Sequence, residues 1–316
     1  MSLAFDPEFT EAMRAWEHLT STLEPVPLGD IETRRVQFEG ALDQVVARLP
    51  MPGDVVMRDH EVVVDDGARL TLRWYTKGDH RPGSGVLFTH GGGMILNNID
   101  QFDRPVARYV SESGVPFLSV EYRKAPEHPA PRPAEDCYAG LEWFAEHATE
   151  LGVDPDRIAV MGDSAGGGLA ASIAIMARDR GGPKIAQQVL LYPMLDDRNT
   201  VARPELEPFV SWGYIDNLTA WTALLGESVG GPGVSPHAAP ARLQDASGLP
   251  PLYLDTGNLD IFLDENLAYV RTLAAAGVST EVHVHPGVPH AWELFCPDIA
   301  TSVRARQDRL RVLTSI

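Results

Sequence analysis

Cysteine is almost missing from the chain: Cys137 and Cys296 are the only two in 316 residues, too few for a disulfide framework, and neither lies in a C-x-x-C pair. Two free buried thiols are expected, with a single bridge between them left open. Basic residues are in deficit as well. With 26 Lys+Arg against 44 Asp+Glu the net charge is −18, and such a surface repels phosphate, so neither nucleic acid nor anionic membrane is an expected partner. No apolar run reaches the ~18 residues a spanning helix needs, which argues against stable membrane insertion. Met1 to Glu11 carry Asp6, Glu8 and Glu11 instead of a basic stretch followed by an apolar one, so no secretory signal is read and a cytoplasmic protein is expected. Repeats and low-complexity tracts are absent. What is present, 44% hydrophobic residues against 22% charged, suffices to bury a core in one domain with insertions or in two unequal domains.

Apolar residues recur at helical steps twice near the start: Phe9, Met13, Trp16, Leu19 and Leu23, then Phe38, Leu42, Val45 and Leu49 before Met51-Pro52-Gly53 stops the pattern. The period then changes to two. His60 to Val64 and the alternating Leu70, Leu72 and Trp74 flank Asp66-Gly67, a hairpin signal because Gly accepts positive φ. Beyond it, apolar runs at Val86–Phe88, Phe117–Val120, Ile158–Met161, Val189–Tyr192, Leu252–Leu254 and Thr280–Val284 alternate with amphipathic stretches such as Ala134–Ala148, Gly167–Arg178 and Asp264–Ala276. That alternation predicts an α/β fold: a mostly parallel central sheet flanked by helices, with the hairpin as an antiparallel edge. Residues 1–50 and 195–226 stand outside it and are expected to form a helical cap, leaving 51–194 and 227–316 as the α/β domain.

Gly162-Asp163-Ser164-Ala165-Gly166 follows one of these strands and opens a helix rich in Ala and Gly. A strand that turns into a helix this sharply forces the central Ser into a strained conformation, tolerates only small neighbours, and leaves the hydroxyl exposed above the sheet. The helix start also presents free N–H groups to a negative oxygen. Upstream, His90-Gly91-Gly92-Gly93 follows another strand, and successive glycines let backbone N–H groups approach a reacting carbonyl. Gly91, Gly92 and Ala165 are the expected oxyanion donors. His90 reads as an orienting residue of the loop. A phosphate-binding role fits poorly, since no Lys-Ser/Thr pair follows the glycines.

These motifs resemble those of the bacterial hormone-sensitive lipase family of α/β-hydrolase carboxylesterases. Tyr122-Arg123-Lys124-Ala125-Pro126-Glu127-His128-Pro129-Ala130-Pro131 is similar to that family's Y-R-L-A-P-E-H-P-F-P, and the match runs from about Gly85 to Trp292. Lys124, Met94 and Gly168 depart from the usual residues. A serine nucleophile needs a base oriented by a carboxylate. Pro286-Gly287-Val288-Pro289-His290 resembles the family's P-G-x-x-H, and Asp260 to Glu265 its D-x-L-x-D-E, so the resemblance implies a Ser164, Asp260 and His290 triad. Asp264, placed like a helix cap, is the rival acid, and Asp255 falls within a strand. Met94, Trp16, Phe38 and Trp212 are candidates to line the substrate pocket.

The expected function is a serine carboxylesterase acting on small, neutral esters of short to medium chain through an acyl-enzyme, with no cofactor and no metal. A zinc site using His283 and His285, or His290 and Glu293, lacks an H-E-x-x-H or a compact Cys/His set. The rivals are an amidase or acyltransferase with the same triad, and a non-catalytic small-molecule binding protein on the same fold. The plant gibberellin receptor is one such protein, but it lacks the catalytic histidine. Arg123, Glu127 and His128 read as polar ties between a loop and the core, and the resemblance implies a homodimer.

Overall fold

The apolar runs between turn residues become one 8-stranded sheet in the computed structural model, which describes residues 3–20 and 24–316. Helices α1 (Pro7–Met13), α2 (Glu17–Thr20) and α3 (Ile31–Val46) precede β1 (Val55–Val63), β2 (Arg69–Lys77) and β3 (Gly83–Thr89). There follow α4 (Ile99–Ser113), β4 (Phe117–Val120), α5 (Arg132–His147), β5 (Val153–Asp163), α6 (Ala165–Arg180) and β6 (Gln187–Leu191). The chain ends with α7 (Tyr214–Leu225), β7 (Leu252–Gly257), α8 (Leu263–Ala275), β8 (Thr280–His285), α9 (Trp292–Phe295) and α10 (Ala300–Thr314).

The sheet order is β1-β2-β4-β3-β5-β6-β7-β8. The expected hairpin pairs Val63 with Arg69 around Gly67, whose φ is +82°. It supplies the antiparallel edge, β2 meeting β4 antiparallel, while every pairing from β4 onward is parallel. Parallel strands need crossovers, and the crossover helices cover both faces. Successive strand residues therefore join opposite cores. Leu87, Leu118 and Val160 pack with α5 and α6, whereas Val86, Phe117 and Ala159 pack with residues of α4 and α10.

From β3 the chain steps outward to β4, then returns to the other side of β3 for β5. At such a reversal the following loops diverge and leave a crevice at the carboxyl ends of the strands. The glycine loop and Ser164 leave the sheet there.

The first helical stretch is not continuous. It divides into α1, a 3₁₀ turn over Arg14–Trp16 and α2. The tighter turn carries Trp16 inward, where its Nε1 donates to Phe295 O at 2.9 Å and Arg48 lies over the ring. Leu23, assigned to the same face, lies outside the described residues. The second stretch falls on α3, which begins earlier, at Ile31, and ends at Val46, so that Leu49 lies beyond the helix. Region 195–226 holds no strand and one helix, α7. Cys137 and Cys296 are free and buried. Among the described residues no helix is long and apolar enough to cross a membrane.

Candidate active site

Ser164 ends the run of β5 with φ +55° and ψ −123°, a conformation that costs a non-glycine residue of order 1–3 kcal/mol. Small neighbours make the turn feasible. A Cβ on Gly162 would lie 2.3 Å from Gly166 O, and one on Gly166 only 2.0 Å from Thr89 O. The Ser164 N–H donates to Leu191 O, and its carbonyl accepts from Gly168 and Met194 N–H at 3.0 and 2.9 Å, so the elbow is held on all sides.

His290 sits in the loop after β8, and the loop after β7 carries Asp260. His290 Nε2 is 2.8 Å from Ser164 Oγ, and His290 Nδ1 is 2.7 Å from Asp260 Oδ2. An ionised carboxylate only accepts, so the proton belongs on Nδ1, leaving the Nε2 lone pair to receive the serine hydroxyl. The edges of Tyr192 and Phe262 pack on the imidazole at ring separations of 4.8 and 5.1 Å and restrict its rotation. Asp260 is buried and its other oxygen accepts from Phe262 N–H at 2.9 Å.

The two rival acids have other partners. Asp264 is 73% exposed and pairs with Arg203. Asp255 is fully buried and takes both arms of Arg309, with contacts of 2.6 and 2.8 Å. For metal ligation, His283 groups with Glu281 and Asp308, not with His285, and Arg311 already pairs with both acids. Glu293 accepts from Tyr192 and Arg309. Arg123 clasps Asp136 and Asp66, and Glu127 pairs with Arg35 of α3, so both serve as polar ties.

The glycine loop departs from expectation at Gly91. Its N–H donates to Asp163 Oδ1 at 3.1 Å, so it is not the open donor that was expected. Gly92 O accepts from Ile95 and Leu96 N–H at 3.0 and 2.9 Å, which turns the Gly93 N–H, on the same peptide plane, the opposite way. Ala165, first residue of α6, has no intrahelical acceptor. Gly92, Gly93 and Ala165 therefore remain available as donors to a negative oxygen. Gly92 and Gly93 take φ of +121° and +61°, which explains glycine at both positions.

A cleft of about 1330 Å³, counted to its open mouth, lies over Ser164 and His290. Phe9, Met13, Phe38 and Leu42 wall it from the N-terminal helices, and Trp212, Trp292 and Phe295 close other sides. Phe38 and Trp212 line it, ring edge to face at 5.8 Å. Trp16 and Met94 do not. Trp16 packs one layer back, against Phe295, and Met94, with φ +59°, is buried beside Leu169 and Leu224. Sequence reasoning passed over Asp163, the second residue of the serine motif, although its burial beside Glu293 raises its pKa to about 7. Asn97 was passed over as well.

The chain matches the family described as alpha/beta hydrolase fold over residues 86–294. It is 39% identical over 230 residues to carboxylesterase NlhH of Mycobacterium tuberculosis, covering 70% of each chain. Against the ethyl acetate hydrolase of Pseudomonas putida it is 28% identical over 297 residues, 91% of this chain and 92% of that one. Among solved structures, a bacterial heroin esterase superposes with a TM-score of 0.88 at 36% identity, covering 99% of this chain and 98% of the other. A hyperthermophilic esterase of the archaeon Pyrobaculum calidifontis gives 0.86 at 30%, covering 99% of each.

Proposed function

The chain belongs to the hormone-sensitive lipase-like family of α/β-hydrolase carboxylesterases, and on that footing we propose that Ser164, His290 and Asp260 are the triad with which it hydrolyses small esters. The observation that carries this reading is the unbroken pair of hydrogen bonds from Ser164 Oγ through the imidazole to Asp260. Ser164 Oγ attacks the ester carbonyl carbon and its proton passes to His290 Nε2. The imidazolium is stabilised by the Asp260 carboxylate on its far side. Charge on the carbonyl oxygen is received by the N–H groups of Gly92, Gly93 and Ala165. The tetrahedral adduct then expels the alcohol, which takes the proton from Nε2. Water, deprotonated by the same imidazole, releases the acid from Ser164 and restores the hydroxyl.

Neutral substrates suit the cleft. Among the described residues, Asp163 and His290 are the only ionisable groups beside Ser164 in a wall otherwise dominated by aromatic and aliphatic side chains. Residues 1–50 and 195–226 act as the cap, since α1, α3 and the segment Val210–Trp212 roof the cleft. Short to medium acyl chains are the expected class. A panel of chromogenic esters of graded acyl length tests this, with Ser164→Ala as control. Turnover should fall at least 10³-fold in the variant and peak below long-chain esters in the wild type. Undiminished turnover by the variant would remove Ser164 from the chemistry. We also read the protein as a cytoplasmic homodimer, which cell fractionation and sedimentation velocity test.

A further inference from the structure

The glycine loop is gripped peptide by peptide. In the plane joining His90 to Gly91, the carbonyl accepts from Tyr122 OH at 2.7 Å and the N–H donates to Asp163 Oδ1 at 3.1 Å. In the next plane, the Gly91 carbonyl accepts from Asn97 Nδ2 at 3.2 Å and lies 2.8 Å from His90 Nδ1. A carbonyl only accepts, so His90 carries its proton on Nδ1. Burial holds that ring's pKa down at about 4, which keeps it neutral. In a trans peptide the C=O and the following N–H point in opposite directions. Fixing the Gly91 carbonyl therefore fixes the direction of the Gly92 N–H.

We propose that Asn97 and Asp163 are positioning residues of the oxyanion hole: by holding the two ends of Gly91 they aim the Gly92 N–H at the reacting oxygen. This deepens the esterase reading above and rests on it. Asn97 is itself well held. Its backbone N–H donates to Glu39 Oε1 of α3 at 2.9 Å, and its side chain is nine-tenths buried. The amide cannot turn over without bringing Oδ1 against the Gly91 oxygen, and Oδ1 has no partner. The clamp fits the chemistry. A donor aimed in advance loses nothing to reorientation as charge develops, whereas one free to rock about Gly91 and Gly92, two residues without a Cβ, would.

The competing account is conformational: Asn97 has φ +69°, and Asn tolerates that region better than most residues. Asn97→Gly separates the two, because glycine satisfies the backbone while deleting the amide. Asn97→Asp keeps the shape but sets a carboxylate against the Gly91 carbonyl. Enzyme concentration is fixed by titration with a fluorophosphonate. For each variant, kcat and KM are measured on a short-chain chromogenic ester, and inhibition constants on a trifluoromethyl ketone, which forms an oxyanion adduct, and on the matching unreactive alcohol. Asn97→Gly should lower kcat by about 10- to 100-fold and weaken the ketone by the same factor, with KM and the alcohol unmoved. Asn97→Asp should lose more.

Wild-type kcat and ketone affinity in Asn97→Gly would overturn the proposal. So would equal weakening of ketone and alcohol, which marks general damage. Should the Asn97 variants not fold, Asp163 carries the test. Asp163→Asn retains an oxygen for the Gly91 N–H, so Asp163→Ala should fall at least about tenfold below it in kcat, and equality of the two would overturn the claim. Retained turnover in Ser164→Ala would instead bring down the esterase reading itself, so the two failures are told apart.

Discussion

On the floor of the cleft every group near the reaction is held by short polar contacts between strand ends: Ser164 to His290, His290 to Asp260, Gly91 to Asp163 and Asn97. Over the roof, Phe9, Met13, Phe38, Leu42 and Trp212 face the same cavity through apolar surface alone. Two polar contacts tie the roof to the floor, Ser211 Oγ donating to His290 O at 2.7 Å and Glu39 of α3 accepting from the Asn97 N–H at 2.9 Å, and further anchors lie away from the cavity. Arg34 of α3 is fully buried and reaches Asp216 of α7 and the carbonyls of Val26, Pro27 and Asp30, while Arg35 reaches Glu127 and the Ile95 and Ala125 carbonyls. Directional bonds fix a geometry to a few tenths of an ångström, whereas apolar packing fixes only a volume. Under the proposed function the floor sets the rate and the roof the choice of substrate, and substitutions in the two should separate accordingly.

The largest effect is expected on the floor. In Asp260→Asn the amide no longer enforces the tautomer with hydrogen on Nδ1, and kcat should fall about 10³- to 10⁴-fold with little change in KM. Asp264→Asn is the comparison. Its side chain is exposed and bonded to Arg203, so the expected kcat is close to wild type. Steady-state kinetics on one short-chain ester decides the matter, and a larger loss in the Asp264 variant would move the acid there.

A smaller effect is expected from the roof. Phe38→Ala removes a ring that lines the cleft against Trp212 and should shift the preference toward longer acyl chains. Burying one or two more methylenes at about 0.8 kcal/mol each corresponds to roughly a 4- to 15-fold change in the kcat/KM ratio of hexanoate to acetate esters. The ratio is the measurement. If it stays fixed while kcat falls, the roof shares in the chemistry and the contrast with the floor fails.

How much of this could be read without coordinates follows from the same contrast. The strands, the hairpin and the serine elbow are local events, and their signals are local: apolar runs, Asp66-Gly67, and small residues about Ser164. The acid and histidine came through motif resemblance, because nothing near Asp260 in sequence says that it will meet His290. Helix α4 was not singled out, although Asn98 and Gln101 form a capping box at its start and Ile99, Phe102, Val106 and Val110 face inward. The misplacements had tertiary causes. Gly91 looks like any other glycine until Asp163 takes its N–H, and Met94 looks like a wall residue until it is found buried beside Leu169 and Leu224. Asn97 left one trace, a polar residue just beyond a glycine loop, which carries no meaning until the Gly91 carbonyl is seen beside it.

The last expected effect concerns stability instead of rate and tests how tightly the floor is sealed. Asp163 is buried, and loss of its solvation, with the charge of Glu293 nearby, raises its pKa from 3.8 to about 7. The folded protein then keeps a proton that the unfolded chain releases near pH 4. The stability tied to that proton is complete below about pH 4 and is lost as pH rises through about 7. Asp163→Asn removes the titration. Its melting temperature should lie a few degrees above wild type at pH 8, with the gap narrowing as the pH falls toward 4. Three pKa units bound the effect at on the order of 4 kcal/mol, and relaxation around the charge reduces it. Thermal melts of both proteins across that range measure it. Parallel curves would mean that water reaches Asp163, and that the floor is no more tightly closed than the roof.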